Sequence, residues 1–256
     1  MRMQLLRNAT LKLSYAGQTI LIDPDLAAKH ARPSFTGRSA NPMVELPLPP
    51  EAIAAGLTLL VVSHLHRDHF DATEALPADL PVLCQPGDEV RIAERGFSQA
   101  RPVAGELEWG GLRINRTGGQ HGLGAVGQLM GAVSGFVLAA PGEPTLYWAG
   151  DTVTCPEVDE ALAHFQPDVI VTHSCGARWP DEAGERQLIV MDAAQTIAVC
   201  RAAPSSTVVA THMEALDHAT VSRAELRAAA DAAGISAEQL RIPADGEALT
   251  FGSRQG

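Results

Sequence analysis

The sequence has little positive charge. Its 256 residues include 19 lysines and arginines against 30 aspartates and glutamates, so the net charge is -11. Lysine occurs only as Lys12 and Lys29. Such a chain is poorly suited to a nonspecific hold on nucleic acid or on an anionic membrane, because both carry negative charge. We expect neither as a partner, and the composition argues against a nuclease.

The sequence also lacks a long apolar run. Residues 1–16 alternate polar and apolar side chains, without the apolar core of a signal peptide. The longest apolar stretch, residues 52–62, is shorter than the roughly 20 residues that a membrane-spanning helix needs. No internal repeat or low-complexity segment is present. We therefore expect a cytoplasmic protein with one domain over residues 1–256.

Closely spaced cysteine pairs are missing as well. Cys84, Cys155, Cys175 and Cys200 are scattered along the chain, and three of the four lie in or beside apolar runs. Buried free thiols are common in such runs. We expect no disulfide bonds.

One stretch joins an apolar run to four side chains that bind metals. Residues 57–62 are short and rich in β-branched residues, which predicts a core strand. His64 and His66 follow two residues apart and point the same way on extended chain. Asp68 and His69 come next in a turn, so all four side chains can converge. Imidazole and carboxylate ligands without thiolate suit zinc, manganese or iron.

Histidine ends three of the predicted strands. Each of three apolar runs is followed by a serine or threonine and then by His64, His173 or His212. Sites in α/β proteins form where strands end at one edge of a sheet. We therefore expect these histidines to gather at one edge.

Three further positions have a plain structural interpretation. Asp151 follows a predicted strand in Gly-Asp-Thr, where an aspartate can cap a helix. His121 lies in a glycine-rich loop that lets the backbone turn close to an ion, although such a histidine alone is usually a surface residue. Asp23 ends a predicted strand and can start a turn before Pro24.

The remaining elements follow from periodicity, turns and caps. Strands are predicted at residues 3–6, 11–15, 19–23, 81–84, 169–171, 208–210 and 247–251, a strand pair at 107–116 and a hairpin from 131–139 and 145–149. Helices are predicted at residues 87–95, 192–201 and 222–233, and a long loop at 25–50.

The motif formed by His64, His66, Asp68 and His69 resembles the signature of the metallo-β-lactamase superfamily. The resemblance implies an α/β fold, a four-layer αββα sandwich in which two mixed β-sheets are flanked by helices. Phe70-Asp71 after the motif is more similar to the branch that holds ascorbate-phosphate lactonase and N-acyl phosphatidylethanolamine phospholipase D. Asn8-Ala9-Thr10 departs from the Gly-His-Ala of many relatives, which leaves the role of Asn8 open.

The resemblance also implies a ligand set for two ions. His64, His66 and His121 would hold one ion, Asp68, His69 and His212 the other, and Asp151 both, with Asp23 orienting a ligand from behind. His173 and His212 compete for the last ligand position, and the longer separation from Asp151 favours His212. His173 then supports the site or contacts substrate, or is a plain buried histidine. His218 either lines the pocket or begins a surface helix.

The implied activity is that of a metal-dependent hydrolase. Two divalent ions, zinc first and manganese or iron as alternatives, would activate a shared hydroxide to cleave an ester, lactone, amide or phosphodiester, with Asp68 and Asp151 as catalytic residues. The alternatives are an iron-dependent redox enzyme on the same scaffold and a metal-binding protein without catalysis.

The long loop predicts the charge of the substrate. Residues 26–44 contain Lys29, Arg32 and Arg38 and no acidic residue. A cationic rim at a metal cleft would attract a small anionic substrate, and Arg178 could add a planar fork for the same anion. The alternatives are a solvated loop or one that pairs with an acidic face of a neighbouring subunit, so homo-oligomerisation is left open.

Overall fold

Short apolar runs form the strands of two seven-stranded β-sheets in the computed structural model, which describes residues 1–252. The strands are β1 (Arg2–Arg7), β2 (Thr10–Tyr15), β3 (Gln18–Ile22), β4 (Leu59–Val62), β5 (Val82–Cys84), β6 (Ala100–Pro102), β7 (Glu106–Trp109), β8 (Leu112–Thr117), β9 (Gly135–Ala139), β10 (Leu146–Trp148), β11 (Val169–His173), β12 (Arg178–Pro180), β13 (Arg186–Leu188), β14 (Thr207–Thr211), β15 (Leu240–Arg241) and β16 (Ala248–Thr250). The helices are α1 (Pro50–Ala54), α2 (Glu89–Glu94), α3 (Gly124–Met130), α4 (Pro156–Phe165), α5 (Ala193–Ala202) and α6 (Arg223–Ala232).

Both large sheets are mixed. The first has the order β16-β1-β2-β3-β4-β5-β6, and its strands from β3 to β6 are parallel. The second has the order β15-β14-β11-β10-β9-β8-β7, and β10, β11, β14 and β15 are parallel. The hairpin of β12 and β13 lies outside both sheets. In each sheet the carboxyl ends of the parallel strands therefore share one edge.

Alternating side chains of the strands supply two kinds of core. Leu59 and Val61 of β4 belong to the core between the two sheets, whereas Leu60 and Val62 belong to the core between the first sheet and the helices α1 and α2. The outer face of the second sheet packs against α4, α5 and α6. Each such buried Leu or Val contributes about 1.5–3 kcal/mol relative to an exposed position. These layers confirm the predicted αββα sandwich.

The helix ends show where local sequence was informative. The Asp192 side chain accepts a hydrogen bond from the Gln195 backbone and caps α5, and Ser222 with Glu225 forms the capping box of α6. Both caps were predicted, because they depend on residues three apart. No helix within residues 1–252 is long and apolar enough to cross a membrane. The four cysteines are buried free thiols.

The strand predicted at residues 131–139 starts later than expected, and helix α3, which was not predicted, precedes it. The helix ends at Met130, Gly131 follows with φ 85°, and β9 begins only at Gly135. Glycine disfavours a helix, which is why the pattern did not indicate one. A side chain at Gly127 would lie 2.2 Å from the Gly122 carbonyl oxygen, so close packing requires the glycine.

Residues 25–49 contain no helix or strand, as predicted for the long loop. The structure contradicts the prediction that Arg32 forms a cationic rim, because this side chain is only 3% exposed. Its Nη1 and Nη2 donate to Oδ1 and Oδ2 of Asp25 at 2.8 and 2.6 Å. Nη1 also donates to the Arg67 carbonyl and to the Asp71 carboxylate. Arg32 therefore fixes the loop to the motif-bearing turn.

We predict that Arg32→Ala lowers the free energy of unfolding by about 3 kcal/mol, because it leaves the buried Asp25 carboxylate without its bidentate partner. The expected loss of unfolding free energy lies at the low end of the usual range for a broken buried ion pair. Arg7 Nη2 lies 3.6 Å from Asp25 Oδ2 and offsets part of the loss. Denaturant unfolding measures the change. Lys29→Ala, an exposed cation of the same loop, is the control and should change stability by less than about 0.5 kcal/mol. Equal stability of the two variants would contradict the assignment.

Candidate metal centre

Side chains that bind metals lie at the carboxyl ends of strands from both sheets. His64 follows β4 of the first sheet, while His173 ends β11 and His212 follows β14 of the second. Asp151 follows β10, the parallel neighbour of β11. His121 follows β8, which runs in the same direction as β10 because β9 pairs antiparallel with both. The histidines therefore gather as predicted, but from the strand ends of two sheets and not from one edge of a single sheet.

Local turns bring the other ligands into this edge. The His66 carbonyl accepts hydrogen bonds from the backbone of His69 and Phe70, both at 3.0 Å, so the chain turns back on itself after β4. Gly150 has φ 73°, and a side chain there would lie 2.7 Å from the Ser134 carbonyl oxygen. Only glycine fits this turn, which aims the following aspartate into the cluster.

Seven of the side chains form two compact groups. Within each group the candidate ligand atoms lie within 4.8 Å of one another. One group is His64, His66 and His121, and the other is His69, Asp151, His173 and His212. Asp68 adjoins the second group, since its Oδ2 lies 3.2 Å from His212 Nε2 and 3.6 Å from His69 Nε2. The expected ligand set contains Asp68 but not His173, and all seven of its residues thus lie together.

His173 lies against a candidate ligand, which is compatible with its expected supporting role. Its Nδ1 lies 2.5 Å from Asp151 Oδ1, inside the same group as His212. Separation along the chain from Asp151 favours His212 over His173 as a ligand. The structure brings both to the cluster, because β11 lies between β10 and β14 and all three strands end at one edge.

Hydrogen bonds behind the cluster orient the rings. Asp23 Oδ2 lies 2.8 Å from His69 Nδ1, and the Asp23 carboxylate also accepts from the backbone and hydroxyl of Ser63 at 2.7 Å. The Ile189 carbonyl lies 2.8 Å from His121 Nδ1. Each contact directs the Nε2 of the histidine into the cluster, which is how outer partners fix metal-binding imidazoles.

The arrangement fits metal ions. His69 Nε2 and His212 Nε2 lie 3.3 Å apart, close to the spacing of about 3.3 Å between nitrogens that surround a tetrahedral ion at bond lengths of about 2.0–2.1 Å. Within residues 1–252, the buried Nε2 atoms of His64 and His173 have no hydrogen-bond partner. Burying such an atom unpaired costs about 1–3 kcal/mol, and coordination to a cation would remove that cost.

The charges of the cluster lead to the same conclusion. Burial alone would raise the pKa of Asp151, but His69 and His212 hold it well below its usual range. Burial lowers the pKa of His69, yet the charges of Asp151 and Asp68 and the hydrogen bonds to Asp151 and Asp23 together outweigh it and raise the pKa to about 10. Burial lowers the pKa of His121 to about 4 and that of His64 well below its usual value. The carboxylates therefore demand positive charge, and metal ions can supply it in place of protons.

A cleft of about 220 Å³ opens onto the cluster. The candidate ligand side chains that line it are His66, Asp68, His121 and Asp151. Its apolar walls are Phe35, Met130, Trp179 and Ile189. Arg67 and the buried His218 complete the lining, so His218 takes its predicted place in the pocket. The Phe35 ring lies edge-on to His218 and to Trp179, with centroids 5.0 and 6.2 Å apart.

Asp217 holds the loop wall in place. Its carboxylate accepts hydrogen bonds from the backbone of Phe35 and Thr36, both at 3.0 Å, and from the hydroxyl of Ser34. Asn41 Nδ2 donates to the same carboxylate at 2.8 Å. These bonds attach the long loop to the segment that follows His212, and they set Phe35 beside the cleft.

The other two arginines that were predicted to bind substrate lie away from the lining of the metal cleft. Arg38 donates through Nε and Nη2 to the Asp217 carbonyl, and Arg178 Nη2 lies 3.9 Å from Asp192 Oδ2. Neither side chain lines the metal cleft. Both predictions depended on the positive charges of the sequence. The sequence does not show that these arginines have partners in the Asp217 carbonyl and the Asp192 carboxylate.

The sequence pattern does not indicate Arg67 or the aromatic walls as part of the site. Arg67 stands inside the motif itself, and its side chain is 63% exposed. Phe35 and Trp179 are aromatic residues in polar loop and hairpin sequence, in a chain with only 4% aromatic residues. A large aromatic side chain without apolar neighbours in sequence is the signal that could have indicated a binding surface.

Comparisons with known proteins agree with this site. Residues 18–213 match the family model of the beta-lactamase superfamily domain. UPF0173 protein YddR of Bacillus subtilis is 35% identical over 96% of this chain and 98% of its own length. A UPF0173 metal-dependent hydrolase of Xanthobacter autotrophicus is 32% identical over 57% of this chain and 59% of its own.

A solved structure from Delia radicum gut bacteria, described as an isothiocyanate hydrolase, matches with a TM-score of 0.90 and 36% identity over 98% of this chain and 100% of the other. A possible metal-dependent hydrolase from Veillonella parvula gives a TM-score of 0.92 and 33% identity over 98% and 99% of the two chains. The resemblance to the superfamily is confirmed. The chain belongs to the β-lactamase superfamily and, within it, to the UPF0173 family of metal-dependent hydrolases.

Proposed function

We propose that the chain hydrolyses a small, neutral electrophile with an apolar substituent, and that an isothiocyanate is the first candidate. The observation that carries the proposal is a cleft in which metal-ligand side chains meet the apolar walls. Phe35 and Trp179 both line this space, with their rings edge to face against each other, and such apolar walls favour a flat or aliphatic substituent. Similarity to the isothiocyanate hydrolase of gut bacteria supports the same substrate class.

We infer a dinuclear centre with the expected ligand set. His64, His66 and His121 would hold one divalent ion, Asp68, His69 and His212 the other, and Asp151 both. Zinc is the first candidate, and manganese and iron are the alternatives that these ligands also suit. When bound, the two ions would lower the pKa of a shared water and polarise the substrate.

The chain's own residues orient the reaction. For an isothiocyanate, water oxygen bonds to the central carbon of the N=C=S group, the carbon–nitrogen bond then breaks, and the nitrogen takes the two protons of water. The products are an amine and carbonyl sulfide. The Asp151 carboxylate, which contacts His69 and His173, would accept a hydrogen bond from the attacking water. The apolar walls exclude bulk water and hold the substituent.

A second candidate is an ester or lactone that carries a carboxylate or phosphate. Arg67 lines the cleft, and its Nη2 lies 3.2 Å from Asp71 Oδ2. Such a solvent-exposed ion pair contributes at most about 1 kcal/mol. Arg67 can therefore exchange this partner for a substrate anion. This candidate keeps the expected anionic substrate but assigns its recognition to Arg67 instead of Arg32, Arg38 and Arg178.

A substrate panel tests the proposal. The metal-free protein is reconstituted with zinc, manganese or iron and assayed with benzyl and methyl isothiocyanate, neutral esters and lactones, and carboxylate-bearing esters. We expect turnover of benzyl isothiocyanate, two ions per chain by elemental analysis, and loss of activity on chelation. Turnover confined to the anionic esters would favour the second candidate, and no turnover in a protein that holds metal would refute a hydrolytic role for the site with these substrates.

We predict that Asp151→Ala and Asp68→Ala each lower kcat by about 100-fold or more, because ligand loss exceeds the 10–100-fold cost of losing an outer partner. Both variants should keep the wild-type circular dichroism, because their side chains meet the cluster and not the apolar cores. Asp159→Ala, an exposed carboxylate on α4, is the matched control. Retention of more than half the wild-type kcat in either ligand variant would contradict its role.

We predict that Trp179→Ala lowers kcat/KM for benzyl isothiocyanate by about two- to tenfold, which is the value of one aromatic contact. The loss should appear mainly in KM, because the indole contacts the substituent and not the reacting carbon. Methyl isothiocyanate serves as the internal control, since its substituent is too small to reach the walls. Equal losses for the two substrates would show that Trp179 does not select the substituent.

A further inference from the structure

Asn8 lies behind the metal centre and contacts two of its loops. It stands between β1 and β2 with φ 56°, and it is 1% exposed. Its side-chain Nδ2 donates a hydrogen bond to the Asp68 carbonyl at 3.1 Å. Its own carbonyl accepts a hydrogen bond from the His212 backbone at 2.9 Å. One residue thus holds the backbone of two candidate ligands.

These two ligands come from different sheets. Asp68 follows β4 of the first sheet, and His212 follows β14 of the second. Their side chains must nevertheless meet closely, and Asp68 Oδ2 lies 3.2 Å from His212 Nε2. Small shifts between the sheets would change this spacing directly. A residue that is bonded to both loops restrains them to one separation.

We propose that Asn8 is a positioning residue that sets the separation of Asp68 and His212 and thereby the affinity for the ion they share. The inference rests on the dinuclear ligand set of the proposed function. Asn8 does not touch the reacting atoms, and it acts through the two backbones that it holds. The expected consequence is on metal binding first and on turnover only through it.

The chemistry of the position supports this role. A left-handed backbone is most easily adopted by glycine, and asparagine is among the few other residues that tolerate it. Glycine would therefore satisfy the turn without burying a polar side chain. Asn8 instead buries an amide whose Oδ1 has no partner within residues 1–252. The Nδ2 bond to Asp68 is the contact that distinguishes asparagine from glycine here.

Asn8→Gly isolates that contact. The substitution keeps the backbone conformation and the carbonyl that accepts from His212, and it removes only the bond to Asp68. Gln166→Gly is the matched control, because Gln166 has φ 46° and is exposed. It precedes β11, at the opposite end of the strand from His173. Both variants therefore replace a left-handed residue with glycine, at the site or away from it.

Zinc affinity is measured by competition with a chromophoric chelator, and the ligand field by the visible spectrum of the cobalt-substituted protein. We expect Asn8→Gly to weaken the more weakly bound ion by about 10- to 100-fold, as other outer partners of metal ligands do. The cobalt spectrum of Asn8→Gly should change. Without metal, the Asn8→Gly and Gln166→Gly proteins should have the same melting temperature. Gln166→Gly should bind both ions with wild-type affinity.

Two results would overturn the inference. One is wild-type zinc affinity together with an unchanged cobalt spectrum in Asn8→Gly. The other is a loss of affinity that is matched by a lower melting temperature of the metal-free protein, since Asn8 would then act through the fold. The number of ions in the wild-type protein tests the proposed function separately. One ion per chain would refute the dinuclear set, and the ratio of variant to wild-type affinity would still decide the role of Asn8.

Discussion

The burial of three carboxylates in one cluster is the constraint on which the rest of the site depends. Asp23, Asp68 and Asp151 all lie inside the protein, where an ionised carboxylate is unstable unless cations or hydrogen-bond donors surround it. Histidines from both sheets meet this demand only in part, since the pKa of His69 is raised to about 10 by the excess of negative charge. Strand ends, turns and outer hydrogen bonds are arranged so that bound metal ions would complete the balance.

The motif could be predicted because it is encoded locally, whereas the candidate ligands outside the motif are implied by the resemblance to the superfamily. Side chains two apart on extended chain point the same way, so a buried strand that ends just before His64 places His64 and His66 on one side. Asp68 and His69 follow in the next turn. His173 was harder to place. Its contact with Asp151 depends on which strands are neighbours in the sheet, and the sequence alone does not state that β10, β11 and β14 lie side by side.

The substrate-binding residues could not be predicted from charge along the chain. Arg32 is cationic in sequence, but its partner Asp25 and the turn at Asp71 neutralise it in the fold. The apolar walls are equally nonlocal, because Phe35 and Trp179 come from segments far apart in sequence. Asp217 connects the wall to the ligands, since it lies five residues after His212 and accepts the hydrogen bonds that hold the loop.

The ligands and the apolar walls are built from different parts of the fold. The ligands lie at the strand ends of the two large sheets, whereas Phe35, Met130 and Trp179 lie on the long loop, on α3 and on the β12–β13 hairpin. Loops and short elements at the surface tolerate insertion and replacement far better than core strands do. Lineages that diverge from a common ancestor can therefore exchange substrates by remodelling these three segments while they inherit the same metal chemistry, which explains how one scaffold supports many specificities.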